Sequence, residues 1–252
     1  MLDALRVRAQ QGQRTIDFPR SAPVLPDRFR GLPVLAPERC VDGCRTCVEA
    51  CPTGALTASP GLQLDLGLCL FCTDCVDACP TGAVEFTTGY QISARRRADL
   101  VQRGSEPLPQ VEALDAQARR LFGRSLRLRQ VSAGGCNACE ADVAVLNTVV
   151  FDLGRFGIQF VASPRHADGL LITGPVTRNM REALRLTYEA IPEPKIVIAV
   201  GACAISGGPY VDHVEVDNGA DAVVPVDLYV AGCPPHPITI LDGLLSLLDR
   251  LP

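Results

Sequence analysis

The sequence predicts an α/β protein with a parallel sheet, preceded by a small cysteine-rich α+β domain. Two observations support this division. Eight of the 12 cysteines fall in a tandem repeat near the N-terminus, and from residue 127 onward short apolar segments alternate with stretches of helical periodicity. That alternation is typical of a parallel sheet with helices on both faces. We therefore expect four segments: an extended arm (1–37), the cysteine-rich domain (38–88), an Arg-rich linker (89–126) and the α/β domain (127–252).

The composition is that of a globular chain long enough for about two domains. The 252 residues are 47% hydrophobic and carry a formal net charge of -4, and no segment is basic enough to predict nucleic-acid binding. No uninterrupted apolar run reaches the roughly 18 residues of a membrane-spanning helix, and the first residues lack the apolar core of a signal peptide. We therefore expect any membrane contact to be made through partner subunits.

The tandem repeat has the cysteine spacing that binds two 4Fe-4S clusters. A cubane cluster needs four thiolates. In this pattern three come from one tight loop, and the fourth, which precedes a proline, comes from the other loop. We therefore predict a bacterial-type two-cluster ferredoxin domain, too small for much apolar core and held together by its clusters. The predicted ligands are Cys40, Cys44, Cys47 and Cys79 for one cluster, and Cys69, Cys72, Cys75 and Cys51 for the other.

The repeat extends beyond the ligands, which indicates an internal duplication. Segment 51–56 (CPTGAL) returns 28 positions later as 79–84 (CPTGAV). The first loop holds one extra residue before Cys44, and we expect Gly43 to absorb it because glycine tolerates unusual backbone angles. Two alternatives fit less well, since disulfide frameworks belong to small secreted chains and structural zinc prefers paired cysteines in sets of four.

The linker is predicted to strap the two domains together, with a helix around Val111 to Phe122. It and its border are rich in arginine, at positions 95, 96, 97, 119, 120, 124, 127 and 129. These side chains either dock on an anionic lipid surface or a neighbouring subunit, or remain solvated on an exposed linker.

The second half is assigned to the flavodoxin-like class from its order of strands and helices. The predicted strands are Leu126–Val131, Ile158–Ala162, Gly169–Thr173, Lys195–Val200 and Asp227–Val230. The predicted helices are Asp142–Leu153, Arg178–Ile191 and Pro237–Leu251.

The remaining four cysteines each follow a predicted strand. Loops after the strands of an open α/β sheet gather at one edge, so three separate loops deliver four thiolates to one place. Glycines flank these loops and permit close backbone approach and amide hydrogen bonds to sulfur. The alternative is four buried structural cysteines. We predict a third 4Fe-4S cluster bound by Cys136, Cys139, Cys203 and Cys233.

Three segments carry a family resemblance: 136–140 (CNACE), 200–209 (VGACAISGGP) and 227–235 (DLYVAGCPP). They closely resemble the small, cluster-bearing subunit, of the 20-kDa type, shared by group 4 energy-converting nickel-iron hydrogenases and respiratory complex I. The N-terminal part, with 29–33 (FRGLP) and both cysteine motifs, resembles the separate two-cluster ferredoxin-like subunit of the same complexes. The chain thus resembles a fusion of the two.

One departure distinguishes the two branches. The complex I subunit typically carries adjacent cysteines followed by a glutamate three residues on. Here Gly135 takes the first cysteine position and Cys139 takes the glutamate position. The resulting Cys-x2-Cys pair resembles the hydrogenase branch.

The resemblance implies an electron-transfer subunit of an oxidoreductase, with three 4Fe-4S clusters and no catalytic residue of its own. Its implied partners are a hydrogenase-type large subunit that holds the nickel-iron centre, membrane-embedded subunits at the cytoplasmic face of the inner membrane, and a soluble electron donor or acceptor, as in a formate hydrogenlyase-like complex. One alternative is the same relay in a nickel-free complex I-like oxidoreductase that carries electrons from NADH or ferredoxin to quinone or another acceptor. A non-catalytic redox sensor is the other.

The residues expected near the partner-facing edge are Glu140, Asp142, Gly174-Pro175 and His236. Glu140 either assists proton movement or is a carboxylate stabilised at a helix N-terminus. His236 is hypothesised to titrate with the adjacent cluster. His166 and His213 have no metal-ligand spacing and are expected at the surface.

Overall fold

The computed structural model describes residues 2–251. The α-helices are α1 (Leu2–Gln11), α2 (Thr46–Glu49), α3 (Asp74–Ala78), α4 (Ala116–Phe122), α5 (Ala138–Val145), α6 (Arg178–Ala190), α7 (Ala202–Ser206) and α8 (Pro237–Leu247). The strands are β1 (Pro33–Leu35), β2 (Leu56–Thr57), β3 (Gln63–Asp65), β4 (Val84–Phe86), β5 (Ser93–Ala94), β6 (Val101–Arg103), β7 (Leu126–Ser132), β8 (Ile158–Phe160), β9 (Gly169–Thr173), β10 (Ile196–Val200) and β11 (Leu228–Val230).

The six-stranded sheet confirms the predicted fold class. Its order is β5-β11-β10-β9-β7-β8, and all neighbours are parallel except β5, which runs antiparallel to β11. Counted from β7, the parallel strands follow the order 2-1-3-4-5, the flavodoxin arrangement. Every residue of β9 and β10 is buried, because both faces of these central strands are covered.

The N-terminal domain joins a two-stranded pair, β1 with β4, to the short helices α2 and α3. Its apolar side chains do not form a separate core. Leu35, Leu56 and Leu64 belong to one buried cluster that continues to Ile172 and Ala199 on one face of the large sheet. The expectation that bound clusters alone hold this small domain together therefore needs correction, since it shares an apolar core with the α/β domain.

The linker is part of both sheets rather than a separate strap. Its β5 forms the antiparallel edge of the six-stranded sheet, and its β6 pairs with β3 of the N-terminal domain. Arg97, between these strands, makes a two-point ion pair with Asp65, at 2.7 and 2.8 Å. The predicted helix is shorter than expected and starts at Ala116, because the Asp115 side chain accepts from two backbone N–H groups and caps it there.

Two further boundaries differ from the sequence predictions. The arm is not extended throughout, since Leu2–Gln11 form α1, a helix with no buried residue. The helix predicted at Asp142–Leu153 lies earlier, at Ala138–Val145. Asn137, in the left-handed region at φ 73, starts it. Leu146 and Leu153 are buried after the helix has ended, so an irregular segment supplies the apolar contacts that suggested helical periodicity.

Helix α8 is almost wholly buried, which the sequence pattern did not indicate. Its apolar residues pack in the second buried cluster, on the other face of the sheet. Among residues 2–251, none of the helices combines the length and apolar character required to cross a bilayer.

Asp242 in α8 is a buried acid whose charge should affect stability. It is 3% exposed, and burial raises its pKa to about 6. The folded state thus holds this proton more tightly than the unfolded chain, so stability is greatest at low pH and falls as pH rises through about 6. We expect Asp242→Asn to stabilise the protein at pH 7.5 by about 2–3 kcal/mol and to have little effect at pH 4.

Chemical denaturation at both pH values checks this prediction. Asp249→Asn is the control, because Asp249 is exposed and ion-paired with Arg119. Parallel pH profiles for the wild type and Asp242→Asn would contradict the prediction.

Candidate iron–sulfur sites

The first cysteine group surrounds a cavity of about 360 Å³ at the surface of the N-terminal domain. Cys40 and Cys44 lie in the loop before α2, Cys47 lies within α2, and Cys79 directly follows α3. Cys40 is exposed. Gly43 adopts φ 75, so the extra residue of this loop is absorbed at the predicted position. The structure thus brings the cysteine after α3 to the loop of the other half of the repeat.

The second group lies deeper. Cys51, Cys69, Cys72 and Cys75 line one narrow cavity, with Cys69 and Cys75 each 8% exposed. Both groups therefore contain three cysteines from one half of the repeat and one from the other. This is the crossed arrangement that the spacing predicts.

The third group assembles from three loops at the carboxyl edge of the large sheet. Cys136 follows β7 and Cys139 lies in the first turn of α5, while Cys203 lies in α7 after β10 and Cys233 follows β11. Cys139 is buried, whereas Cys136 and Cys233 are exposed. The edge that gathers these thiols is the one that binds ligands in open α/β sheets.

Two glycines are needed for this third group to form. A Cβ atom at Gly201 would lie 2.5 Å from Cys139 Sγ, and one at Gly208 would lie 2.8 Å from Cys203 Sγ. Both residues also have positive φ, 90° and 57°. Glycine is therefore required at both positions by space and by backbone conformation.

The buried thiols are electrostatically unsuited to ionise alone. Burial raises the pKa of Cys69 and Cys203 to about 12 and that of Cys75 to about 11, and it raises the pKa of Cys139 further. The charges of neighbouring cysteines add to each shift. Thiolate ligands are stable in such positions only beside a compensating positive centre, which a metal group supplies.

Backbone amides support several of the sulfurs. Ala55 donates to Cys51 Sγ and Ala83 to Cys79 Sγ, both at 3.2 Å, and Phe71 donates to Cys69 Sγ at 3.3 Å. For Cys79, burial opposes ionisation, but the hydrogen bonds from Ala83 and Thr81 outweigh it and lower its pKa. Amide donors to sulfur are among the features that set the potential of an iron–sulfur cluster.

The spacing of the thiols fits a polynuclear group better than a single ion. Within residues 2–251, no three His, Cys, Asp or Glu side chains converge tightly enough to hold one metal ion. A zinc ion needs each sulfur at about 2.3 Å. The cysteines instead surround cavities, which disfavours the zinc alternative and fits the chemistry of an iron–sulfur cluster.

The three groups lie next to one another in a row. Besides burial, the charge of Cys47 in the first group contributes to the raised pKa of Cys75 in the second. Burial and the charges of Cys136 and Cys72 raise the pKa of Cys233, which connects the second group with the third. The sequence left the order of the groups open, and the tertiary structure puts the Cys51 group in the middle.

Glu140 is held as a hydrogen-bonded carboxylate in the first turn of α5. Its Oε1 accepts from Ser132 at 2.6 Å and from Thr173 at 2.7 Å, at the ends of β7 and β9. Burial opposes its ionisation, but these two hydrogen bonds outweigh it and lower its pKa. Glu140 therefore connects two strand ends beside Cys139. Asp142 lies two residues further along α5, and burial raises its pKa.

His236 caps α8. Its Nδ1 accepts from the backbone N–H of Ile238 at 3.1 Å, and its ring contacts Phe29 and Phe151 edge to face, at 5.3 and 6.3 Å between centroids. Burial lowers its pKa, so it is neutral at physiological pH with the proton on Nε2. His166 and His213 are exposed, as predicted.

Several of the arginines in and beside the linker have partners within the chain. Arg96 pairs with Asp99 and Arg127 with Asp168, while Arg119 pairs with Asp249. The sequence offered no signal for two other contacts near the cysteines. Ser206 donates to the carbonyl of Gly67 across the two domains, and Arg30 of the arm donates to the Cys72 loop. Neither residue belongs to a motif that periodicity or spacing identifies.

Comparisons with known proteins agree with this arrangement. Residues 136–247 match the family described as NADH ubiquinone oxidoreductase, 20 Kd subunit, and residues 39–83 match a 4Fe-4S dicluster domain. The chain is 43% identical over 136 residues to the probable membrane-bound hydrogenase subunit mbhJ of Pyrococcus furiosus, covering 54% of this chain and 81% of that one.

Other relatives have related names. Formate hydrogenlyase subunit 7 of Escherichia coli K12 is 43% identical over 141 residues, covering 56% of this chain and 55% of its own length. An NADH-quinone oxidoreductase subunit of Citrifermentans bemidjiense is 46% identical over 117 residues, covering 46% and 68%. A chain of the archaeal membrane-bound sulfane sulfur reductase has 36% identity and a TM-score of 0.47, covering 55% and 76%.

The hydrogen bonds of Glu140 generate a stability prediction. Glu140→Ala leaves the fully buried Thr173 hydroxyl without its acceptor, and we expect a loss of about 1–3 kcal/mol. Glu140→Gln, which keeps an acceptor oxygen, should cost less. Adding Thr173→Val to Glu140→Ala should recover part of the loss, because the unpaired hydroxyl is then gone. Denaturant unfolding of these variants and of Thr173→Val alone tests this, and purely additive costs would rule out the coupling.

Proposed function

The chain belongs to the NADH ubiquinone oxidoreductase 20-kDa subunit family, and on that basis we propose that it is an electron-transfer subunit with three 4Fe-4S clusters in a row. The observation that carries the proposal is the grouping of all 12 cysteines into three adjacent quartets. Each cluster, when bound, accepts and donates one electron. The oxidoreductase reaction itself takes place on partner subunits.

The proposed ligands are the three quartets. They are Cys40, Cys44, Cys47 and Cys79 for the first cluster, Cys51, Cys69, Cys72 and Cys75 for the second, and Cys136, Cys139, Cys203 and Cys233 for the third. The chain's own residues hold the thiolates, exclude water from the middle group and donate backbone hydrogen bonds to sulfur. These features support a fixed spacing between neighbouring clusters.

The exposure of the end groups supports a relay that meets one partner at each end. Cys40 is exposed at the first group, where a soluble donor or acceptor would dock. Cys136 and Cys233 are exposed at the third group, on the edge of the α/β domain that matches the 20-kDa family. We place the large subunit of the complex against this second face.

The proposed complex is a membrane-associated group 4 hydrogenase, in which the large subunit carries the nickel-iron centre and membrane-embedded subunits hold the assembly at the cytoplasmic face. The Cys136-x2-Cys139 pair and the names of two relatives, a membrane-bound hydrogenase subunit and a formate hydrogenlyase subunit, support this choice. The second candidate is a nickel-free complex I-like oxidoreductase, which the NADH-quinone oxidoreductase relatives support.

Reduction by hydrogen distinguishes the two. The purified complex is exposed to hydrogen without other reductants, and the cluster signals are followed by electron paramagnetic resonance. Signals from reduced clusters are expected for the hydrogenase. Clusters that stay oxidised under hydrogen but become reduced with dithionite would favour the nickel-free complex.

Gly201 provides a test of the third cluster alone. In Gly201→Ala the new methyl group would overlap Cys139 Sγ, at 2.5 Å, so we expect the third cluster to be lost while the other two assemble. Iron content should fall from about 12 to about 8 atoms per chain. Gly61→Ala is the control, since its Cβ meets no atom within 4 Å. An unchanged iron content in Gly201→Ala would contradict the assignment of Cys139.

A further inference from the structure

Two consecutive residues of the N-terminal arm contact the loops of two different cysteine groups. Arg30 Nη1 donates to the carbonyl oxygens of Phe71 and Cys72, at 3.1 and 3.3 Å, in the loop of the middle group. Phe29 packs edge to face on His236, at 5.3 Å between centroids, in the loop of the third group. The arm thus bridges the two loops at the place where Cys72 lies nearest to Cys233.

We propose that Arg30 is a positioning residue for electron transfer between the middle and third clusters: together with Phe29 it holds the two loops at a fixed separation, and its charge favours reduction of the middle cluster. The inference rests on the proposed function. It assigns a role to a segment that carries no cysteine and belongs to neither matched family region.

The loop that Arg30 contacts needs external support. Phe71 and Thr73 flank Cys72 and both adopt left-handed conformations, at φ 54 and 75. Non-glycine residues persist in this region only when their surroundings determine the conformation. The Phe71 ring is buried against Phe86, at 5.9 Å, and its carbonyl accepts from Arg30. These two contacts fix both sides of the peptide that leads to Cys72.

The arm itself is anchored firmly enough to act as a clamp. Gly31 donates to the carbonyl of Thr87 at 2.9 Å and Leu32 to that of Gly89 at 2.6 Å. A Cβ at Gly31 would lie 2.2 Å from the Gly89 carbonyl oxygen, so the two backbones are in direct contact. On the other side, His236 is fixed by its cap on Ile238. Both attachments are thus rigid.

The positive charge of Arg30 is not neutralised within the chain. None of the carboxylates in residues 2–251 forms a salt bridge with it. Its Nη1 hydrogen-bonds the carbonyl of Cys72, a proposed ligand of the middle cluster. A cluster gains one negative charge on reduction, so a nearby guanidinium stabilises the reduced state. Arg28 lines the same cavity but donates no hydrogen bond to either loop.

The test compares three substitutions in the purified, cluster-loaded chain: Arg30→Met, Arg30→Lys and, as the matched control, Arg28→Met. In a redox titration followed by electron paramagnetic resonance, Arg30→Met should lower the equilibrium constant for reduction of the middle cluster by about three- to tenfold. That corresponds to about 30–60 mV for a one-electron couple. Arg30→Lys keeps the charge and should retain most of the potential, and Arg28→Met should match the wild type.

Pulsed measurements of the magnetic coupling between the reduced middle and third clusters test the positioning role. Arg30→Met should broaden the distribution of couplings, and Phe29→Leu should do so without changing the potential. The proposal is overturned if Arg30→Met matches Arg28→Met in both readouts. If Arg30→Met does not load iron, Phe29→Leu decides, and an unchanged coupling overturns the clamp. A wild-type chain that binds no clusters would instead refute the proposed function.

Discussion

The arrangement of the cysteine groups depends on one apolar core that the two domains share. The buried leucines of the N-terminal domain pack into the same cluster as one face of the six-stranded sheet. Burying apolar surface across this boundary fixes the two domains as one body, which no flexible tether achieves. Because Cys72 lies on one side of the boundary and Cys233 on the other, the separation of the middle and third groups follows from this packing.

The cysteine sites combine burial with backbone support in different proportions. The middle group is the most buried, and its thiols have pKa values raised to about 11 and 12. The end groups are each exposed on one side, at Cys40 and at Cys233. This gradient suits a relay in which outer sites meet other proteins and the inner site is shielded from solvent, since exposure and local hydrogen bonding both set cluster potentials.

The arm and the linker are structural parts of both domains, although their sequences have weak periodicity. The linker adds β5 to one sheet and β6 to another, and Arg97 pairs with Asp65 between them. The arm reaches both cysteine loops through Phe29 and Arg30. Several of the arginines that suggested a surface for lipid or for another protein form intramolecular contacts instead. In this fusion, the connecting segments determine how the two domains meet.

The sequence by itself determined the cysteine groups, because cluster ligation restricts spacing within a loop and the position of the Cys-Pro element. It also determined the five parallel strands, since apolar runs between turn residues are a local signal. Only the tertiary structure decided the order of the groups, the capping role of His236 and the hydrogen bonds of Glu140. These depend on contacts between residues far apart in the chain. The helix after Cys139 was predicted too late for the same reason, because Leu146 and Leu153 reach the core through tertiary packing rather than helical repetition.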